Sequence, residues 1–150
     1  MDTTTMAATR AAATTPVQDA LSLAGRLLLA WLFIPAGWSK IANFPGVVGY
    51  IAAQGVPLPE ACAAVAIAAE LGLGVLILAG WQARWAALGL AIFVAAITPV
   101  FHNYWALPAA QAVMQKQAFD KNLGVVGGLL VLAAFGAGGL SVDGRRRRAA

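Results

Sequence analysis

Four long apolar stretches constrain this chain more than any other feature of its sequence. They cover about residues 20–41, 60–81, 85–102 and 122–140, and each approaches the ~20 apolar residues that a helix needs to cross a bilayer. Charged residues make up only 11% of the chain, against about 25% in soluble domains. This composition excludes a soluble enzyme, a disordered chain and a nucleic-acid-binding domain. It predicts an all-α integral membrane protein, a bundle of four transmembrane helices in the lipid bilayer.

Two polar segments flank the predicted membrane domain, which covers residues 20–141. Residues 1–19 are rich in Thr and Ala and form a polar arm. They lack the short apolar core and cleavage site of a signal peptide, so the first apolar stretch is expected to remain in the protein. Residues 142–150 form a tail with four consecutive arginines. Beside a membrane span, such a run is typical of a positive-inside anchor.

The distribution of lysine and arginine predicts the orientation of the bundle. An even number of spans places both termini on one side of the membrane. That side holds seven basic residues, against three on the other, and the three are Lys40, Lys116 and Lys121. Because basic segments stay inside the cell, both termini are predicted to be cytoplasmic. The two longer loops then face outward, and short helices along the membrane surface are expected at 47–54 and 108–119.

Two charged residues lie well inside the predicted spans, away from the span ends. Arg26 falls about five residues, or roughly 8 Å, inside the first span, and Glu70 falls near the middle of the second. The two helices run antiparallel, and an Arg side chain can cover the remaining difference in depth. We therefore predict a buried Arg26–Glu70 ion pair. It would either clamp the helix register or relay protons, since charges inside a membrane are costly and often functional.

A second polar group is expected where the outer ends of three helices meet. Pro35 and Pro99 each free a backbone carbonyl, and kinks at these positions would open an outward cavity. The cationic and amide side chains around it would suit a quinone carbonyl or a small anion. Alternatively, the lysines extend to the headgroups and the histidine is an interfacial residue. The candidate ligand-binding residues are Lys40, His102, Lys121, Asn122 and Trp38.

The chain has one cysteine, Cys62, and one histidine, His102. A single cysteine excludes an internal disulfide, a dithiol centre, an iron–sulfur cluster and a thiolate zinc site within one copy. A single histidine cannot build a bis-histidine haem. A redox function would therefore require a partner protein that carries the redox centre.

Several of these residues occur in an order and spacing that resemble the DoxX family. The resemblance covers about residues 20–140, and the polar arm and the arginine tail are not part of the family pattern. His102 ends the third helix as that pattern expects. The matching segments are Arg26 with Phe33, Gly37 and Ser39–Lys40, then Gly55–Pro59, Glu70–Gly80 and Phe119–Gly128.

The resemblance implies a four-helix protein of the bacterial inner membrane. Some relatives are linked to thiosulfate–quinone oxidoreduction and others to oxidative-stress complexes with soluble enzymes. The leading expectation is a membrane subunit of a redox system that binds quinone or a small sulfur-containing anion. The first alternative is a non-enzymatic scaffold, in which the Gly124-x-x-x-Gly128 face docks a partner helix. The second is a small proton-coupled transporter that uses Glu70 and requires homo-oligomerisation.

Overall fold

The computed structural model describes residues 15–149, and within this range all regular structure is helical. A π-helical segment, Ala68–Leu73, joins α3 to α4, so that Pro59–Ala79 is one continuous span. A 3-10 turn, Tyr104–Ala106, precedes the last long helix. The α-helices are α1 (Pro16–Ala42), α2 (Phe44–Ala53), α3 (Pro59–Ile67), α4 (Gly74–Ala79), α5 (Ala83–Phe101), α6 (Ala109–Phe135) and α7 (Val142–Ala149).

Four helices in the described part of the chain are long and apolar enough to cross a membrane. They are α1, the composite helix Pro59–Ala79, the segment that contains α5, and α6. The predicted all-α, four-span architecture is therefore confirmed. The predicted short helix of the first outer loop also forms, as α2.

The first span begins at Pro16, four residues earlier than the sequence predicted. Thr15 forms a capping box with Gln18, because the Thr15 hydroxyl accepts from the Gln18 amide and the Gln18 side chain accepts from the Thr15 amide. Proline at the first helical position is already shaped for a helix start. The end of the predicted polar arm is thus helical, and its residues 1–14 lie outside the described part of the chain.

The second outer loop differs from the prediction in one respect. The segment 108–119 does not form a separate surface helix but continues into the fourth span as the first half of α6. Good helix formers run from Ala109 to Asn122 without a glycine or proline to interrupt them. A helix of 27 residues is about 40 Å long, which exceeds the ~30 Å of bilayer hydrocarbon.

Small residues bring the spans close together in the core. Ala86, Ala87 and Leu90 of α5 are almost fully buried with Leu129 of α6. Gly37 of α1 faces the π segment so closely that a Cβ there would lie 2.7 Å from Leu71 Cγ. This close approach sets the register between the first and second spans.

The residues that follow α6 close the end of the bundle at which α1 begins. The Asp143 amide donates to the Gly80 carbonyl (2.9 Å), and its carboxylate accepts from the amides of Gln82 (2.9 Å) and Ala83 (3.0 Å). Asp143 therefore caps α5 from a distant part of the sequence. In the same region, Asp19 Oδ2 of α1 lies 3.7 Å from Arg148 Nη2. The two ends of the described chain thus meet on one side of the bundle, as an even number of spans requires.

Candidate ligand-binding cavity

An ion pair between Lys40 and Glu70 lies at the opposite end of α1. Lys40 Nζ is 2.6 Å from Glu70 Oε2. The Glu70 side chain is 8% exposed and that of Lys40 27% exposed. The lysine belongs to the last turn of α1, and the glutamate belongs to the π segment of the second span.

Local backbone structure explains why these two side chains meet. A π-helical turn holds one residue more than an α-helical turn, so it rotates the residues that follow it and is frequent at functional sites. Gly37, one turn before Lys40, lets α1 approach this turn within direct contact of Leu71 and Glu70. The π turn and the absence of a side chain at Gly37 together place the Glu70 carboxylate beside Lys40.

The predicted Arg26–Glu70 pair is wrong. Arg26 is 1% exposed and donates instead to three backbone carbonyls, those of Ile77 (3.3 Å), Leu78 (2.8 Å) and Leu140. The first two belong to the last turn of α4, where carbonyls have no partner within the helix. The arginine thus caps the second span and fixes the C-terminal segment, while Lys40 neutralises Glu70.

The ion pair lines a cavity of about 630 Å³. The cavity is bounded by α2, α3, the π segment, α5 and the segment that links α2 to α3. Among residues 15–149, Lys40 and Glu70 are the only charged residues of its wall, and the other lining residues are mostly apolar. The larger apolar and aromatic side chains among them include Tyr50, Ile51, Val65, Phe93, Ile97, Val100 and Phe101.

Sequence reasoning missed the contribution of α2 to this cavity. Tyr50 of α2 stacks on Phe101 at the end of α5, with ring centroids 5.5 Å apart. Ile51 is buried in the same region. The signal was present in the turn at Gly55, whose positive φ reverses the chain and returns α3 alongside α2. Cys62 of α3 lines the cavity as well, and its Sγ lies 3.4 Å from the Pro57 carbonyl.

The structure does not gather the five predicted ligand-binding residues into one site. Of these, only Lys40 lines the cavity. His102 Nδ1 lies 2.7 Å from Gln115 Oε1, and Asn122 Nδ2 donates to Thr98 Oγ1 at 3.1 Å. These contacts join α5 to α6, whereas Lys121 and Trp38 are exposed. The outer polar residues therefore form two groups, one around Glu70 and one between α5 and α6.

Fold and site together define a class: a four-span helical membrane protein with an apolar cavity and an intramembrane ion pair. The sequence pattern of the DoxX family matches residues 21–103. This chain belongs to the DoxX family, as its resemblance predicted.

Two relatives from Escherichia coli K12 match most of the chain. Inner membrane protein YqjF is 38% identical over 130 residues, which cover 85% of this chain and 92% of that protein. Inner membrane protein YphA is 30% identical over 125 residues, or 83% and 89% of the two chains. The surfeit locus protein 4 homolog of Drosophila melanogaster is 27% identical over 137 residues, 85% of this chain but 42% of that protein. No solved structure matches the chain significantly.

Proposed function

We propose that this protein binds a lipophilic molecule with a carbonyl head, of the quinone type, in the cavity beside Lys40 and Glu70. The observation that carries the proposal is the wall of this cavity, which is apolar except for one ion pair. A volume of about 630 Å³ falls within the range of small-molecule sites, roughly 300–1,000 Å³. A few placed polar groups in an apolar wall are typical of such sites.

The charge balance of the site favours a quinone over a small sulfur-containing anion. Glu70 already compensates the positive charge of Lys40 at 2.6 Å, so an anion would have to compete with a carboxylate. A quinone carbonyl needs only one donor, and the Lys40 ammonium has three protons. The rings of Tyr50, Phe93 and Phe101 offer aromatic surface for the quinone ring.

In this role the protein would act as the membrane subunit of a redox system. Reduction of a quinone to a quinol consumes two electrons and two protons. The electrons would come from a redox centre on a partner protein, and Glu70 with Lys40 would pass protons to the quinone oxygens. Arg26 takes no part, because its Nη1 and Nη2 groups donate to backbone carbonyls at the other end of α1.

Quinone titration of the purified protein, followed by tryptophan fluorescence, tests this proposal. Lys40→Ala is expected to weaken binding about tenfold, the value of one charge-assisted hydrogen bond. Lys121→Ala removes the same charge from an exposed position and is expected to leave the affinity unchanged. Equal affinities of the wild type and the Lys40→Ala, Lys121→Ala double variant would contradict the proposal.

A second pair of variants tests the position of the ligand. Ala96 lines the cavity, whereas its neighbour Ala95 does not, and both are exposed. We expect Ala96→Phe to fill the cavity and prevent quinone binding, and Ala95→Phe to bind as the wild type does. Unchanged binding by Ala96→Phe would place the ligand elsewhere.

A scaffold function is the second candidate, and the exposed glycines of α6 favour it. A Cβ at Gly124, Gly127 or Gly128 would meet no atom of the described chain within 4 Å. Glycines at this spacing permit close contact with another transmembrane helix, from a partner or from a second copy. Under this proposal, Gly128→Leu breaks a co-purifying membrane complex and Lys121→Ala preserves it. A complex that survives Gly128→Leu would exclude this face as the docking site.

A further inference from the structure

A second cleft, distinct from the apolar cavity, lies at the end of the bundle where the two ends of the described chain meet. It has a volume of about 340 Å³ and lies between the α4–α5 turn, the start of α5 and α7. Its charged lining consists of Arg84, Arg146, Arg147 and Asp143. Three cations and one anion thus share a small volume.

The single carboxylate of this cleft does not neutralise the arginines. Both Asp143 oxygens accept from backbone amides, those of Gln82 and Ala83. The carboxylate is therefore directed at the positive N-terminal end of α5. The charge of the arginine side chains remains available to a ligand.

The arginines retain donors that face no protein acceptor. Arg84 uses Nε and Nη2 to bind the carbonyls of Ala133 (2.8 Å) and Ala134 (3.0 Å), and its Nη1 has no acceptor among residues 15–149. The Arg146 guanidinium lies 5.7 Å from the centroid of the Trp81 ring. Arg147 has no hydrogen bond or ion pair with the described residues.

The geometry points to a binding site for the phosphate headgroup of an anionic phospholipid. Arginine guanidinium groups match phosphate oxygens and bind them in pairs of hydrogen bonds. Trp85 lines the cleft and is 72% exposed, and Trp81 at the adjoining turn is 43% exposed. Tryptophans at the ends of spans lie at headgroup depth. The cleft is therefore placed where a lipid phosphate meets it while the acyl chains lie against Trp85.

Native mass spectrometry of the full-length protein in detergent tests this site. The probes are phosphatidylglycerol and, as the neutral lipid with the same phosphate, phosphatidylcholine. We expect phosphatidylglycerol to bind about tenfold more tightly, since each basic side chain near an anionic lipid strengthens binding severalfold. Equal binding of the two lipids would overturn the proposal.

Two double variants separate a built site from general attraction to a basic tail. Arg146→Ala, Arg147→Ala removes two cleft residues, and Arg145→Ala, Arg148→Ala removes the same charge from residues outside the cleft. We expect the first variant to lose the preference for phosphatidylglycerol and the second to keep it. Equal losses in both variants would show diffuse attraction and overturn the site.

Inorganic phosphate presents the same oxygen atoms to the arginines as the phosphate of a lipid does, so it is the alternative ligand. Excess inorganic phosphate should not displace phosphatidylglycerol from the wild-type protein, because the lipid also contacts the tryptophans. Displacement would overturn the lipid assignment in favour of a soluble phosphate. The four tail arginines are all exposed, so the Arg146→Ala, Arg147→Ala variant is expected to keep the wild-type melting temperature, and Arg147→Glu provides an independent charge reversal. The control variant also loses the Arg148–Asp19 ion pair, so its melting temperature is measured beside that of the wild type.

Discussion

Lys40 and Glu70 carry opposite charges within an apolar surrounding, and each is costly there without the other. We expect Glu70→Gln to lower the free energy of unfolding by about 2–4 kcal/mol, because the Lys40 ammonium loses its carboxylate. The double variant Lys40→Met, Glu70→Leu leaves no charge to be paired, so its stability is expected to be close to that of the wild type. Titration with SDS measures both variants, and the single variants Lys40→Met and Glu70→Leu complete the double-mutant cycle.

The control for this cycle is an ion pair on the surface of α6 with a similar distance between its nitrogen and oxygen atoms. Lys116 Nζ and Asp120 Oδ2 are 2.5 Å apart, and both side chains are more than half exposed. We expect Lys116→Met to leave stability unchanged, since exposed pairs contribute little. If Glu70→Gln were as mild as Lys116→Met, the Lys40–Glu70 pair would not be an energetic element of the fold.

Arg26 binds three carbonyls with a planar, forked donor group, which lysine cannot reproduce. We expect Arg26→Lys to lower the melting temperature and to expose the C-terminal segment to proteolysis after Leu140, since the lysine cannot hold all three carbonyls. Limited proteolysis with mass spectrometry measures this directly. A variant that resists cleavage as the wild type does would show that the contacts of Asp143 and Asp19 fix the segment without Arg26.

Residue-level partners were only partly predictable from the sequence. The apolar stretches around positions 26 and 70 predict that these charges are buried. Which residues pair with them depends on the register between the helices. Gly37 lies beside Leu71. Arg26 lies about eleven residues, or roughly 16 Å, closer to the N-terminal end of α1. In an antiparallel pair this places Arg26 at the end of the second span, beside Leu78, and leaves Glu70 beside Lys40. Hydrophobicity sets which segments span a membrane, and small residues set how they align.

The contact between α1 and the π segment is the element-level feature that positions the cavity. A Cβ at Gly37 would lie 2.7 Å from Leu71 Cγ, 3.1 Å from Leu71 N and 3.2 Å from Glu70 Cβ. We expect Gly37→Ala to force the two helices apart and to cost about 1–3 kcal/mol of stability, as in other overpacked sites. Ligand binding in the cavity should weaken in parallel.

Gly25 provides the matched control on the same helix. A Cβ there meets nothing within 4 Å, so Gly25→Ala is expected to be neutral or to stabilise α1 by up to about 1 kcal/mol. Thermal unfolding in detergent measures both variants. A Gly25→Ala variant as unstable as Gly37→Ala would show that helix propensity, not close packing, governs this region.

Elements were more predictable than contacts, for reasons visible in α2 and α6. The short helix predicted at 47–54 forms as α2, because glycine and proline residues such as Pro45 and Gly55 punctuate the chain locally. The continuity of α6 was missed because the polarity of its first half suggested a separate surface helix. Polarity does not end a helix when no breaker is present. The π segment has no such local signal in the sequence.

For the whole molecule, the prediction that concerns the membrane is its orientation. The structure brings both ends of the described chain to one side, and the basic residues of that side predict that it is cytoplasmic. Fusions of alkaline phosphatase to the C-terminus are expected to be inactive, and fusions of a green fluorescent protein to be fluorescent. The reverse pattern would invert the bundle and place the arginine cleft on the periplasmic side.

The bond between Arg26 and the Leu140 carbonyl joins residues that are 114 positions apart in the chain. During synthesis the arginine enters the bilayer long before its last acceptor has left the ribosome. The carbonyls of Ile77 and Leu78 follow earlier, with the second span, so Arg26 gains two of its three acceptors before the third. The last of these contacts forms only once the residues after α6 fold back onto the first helix.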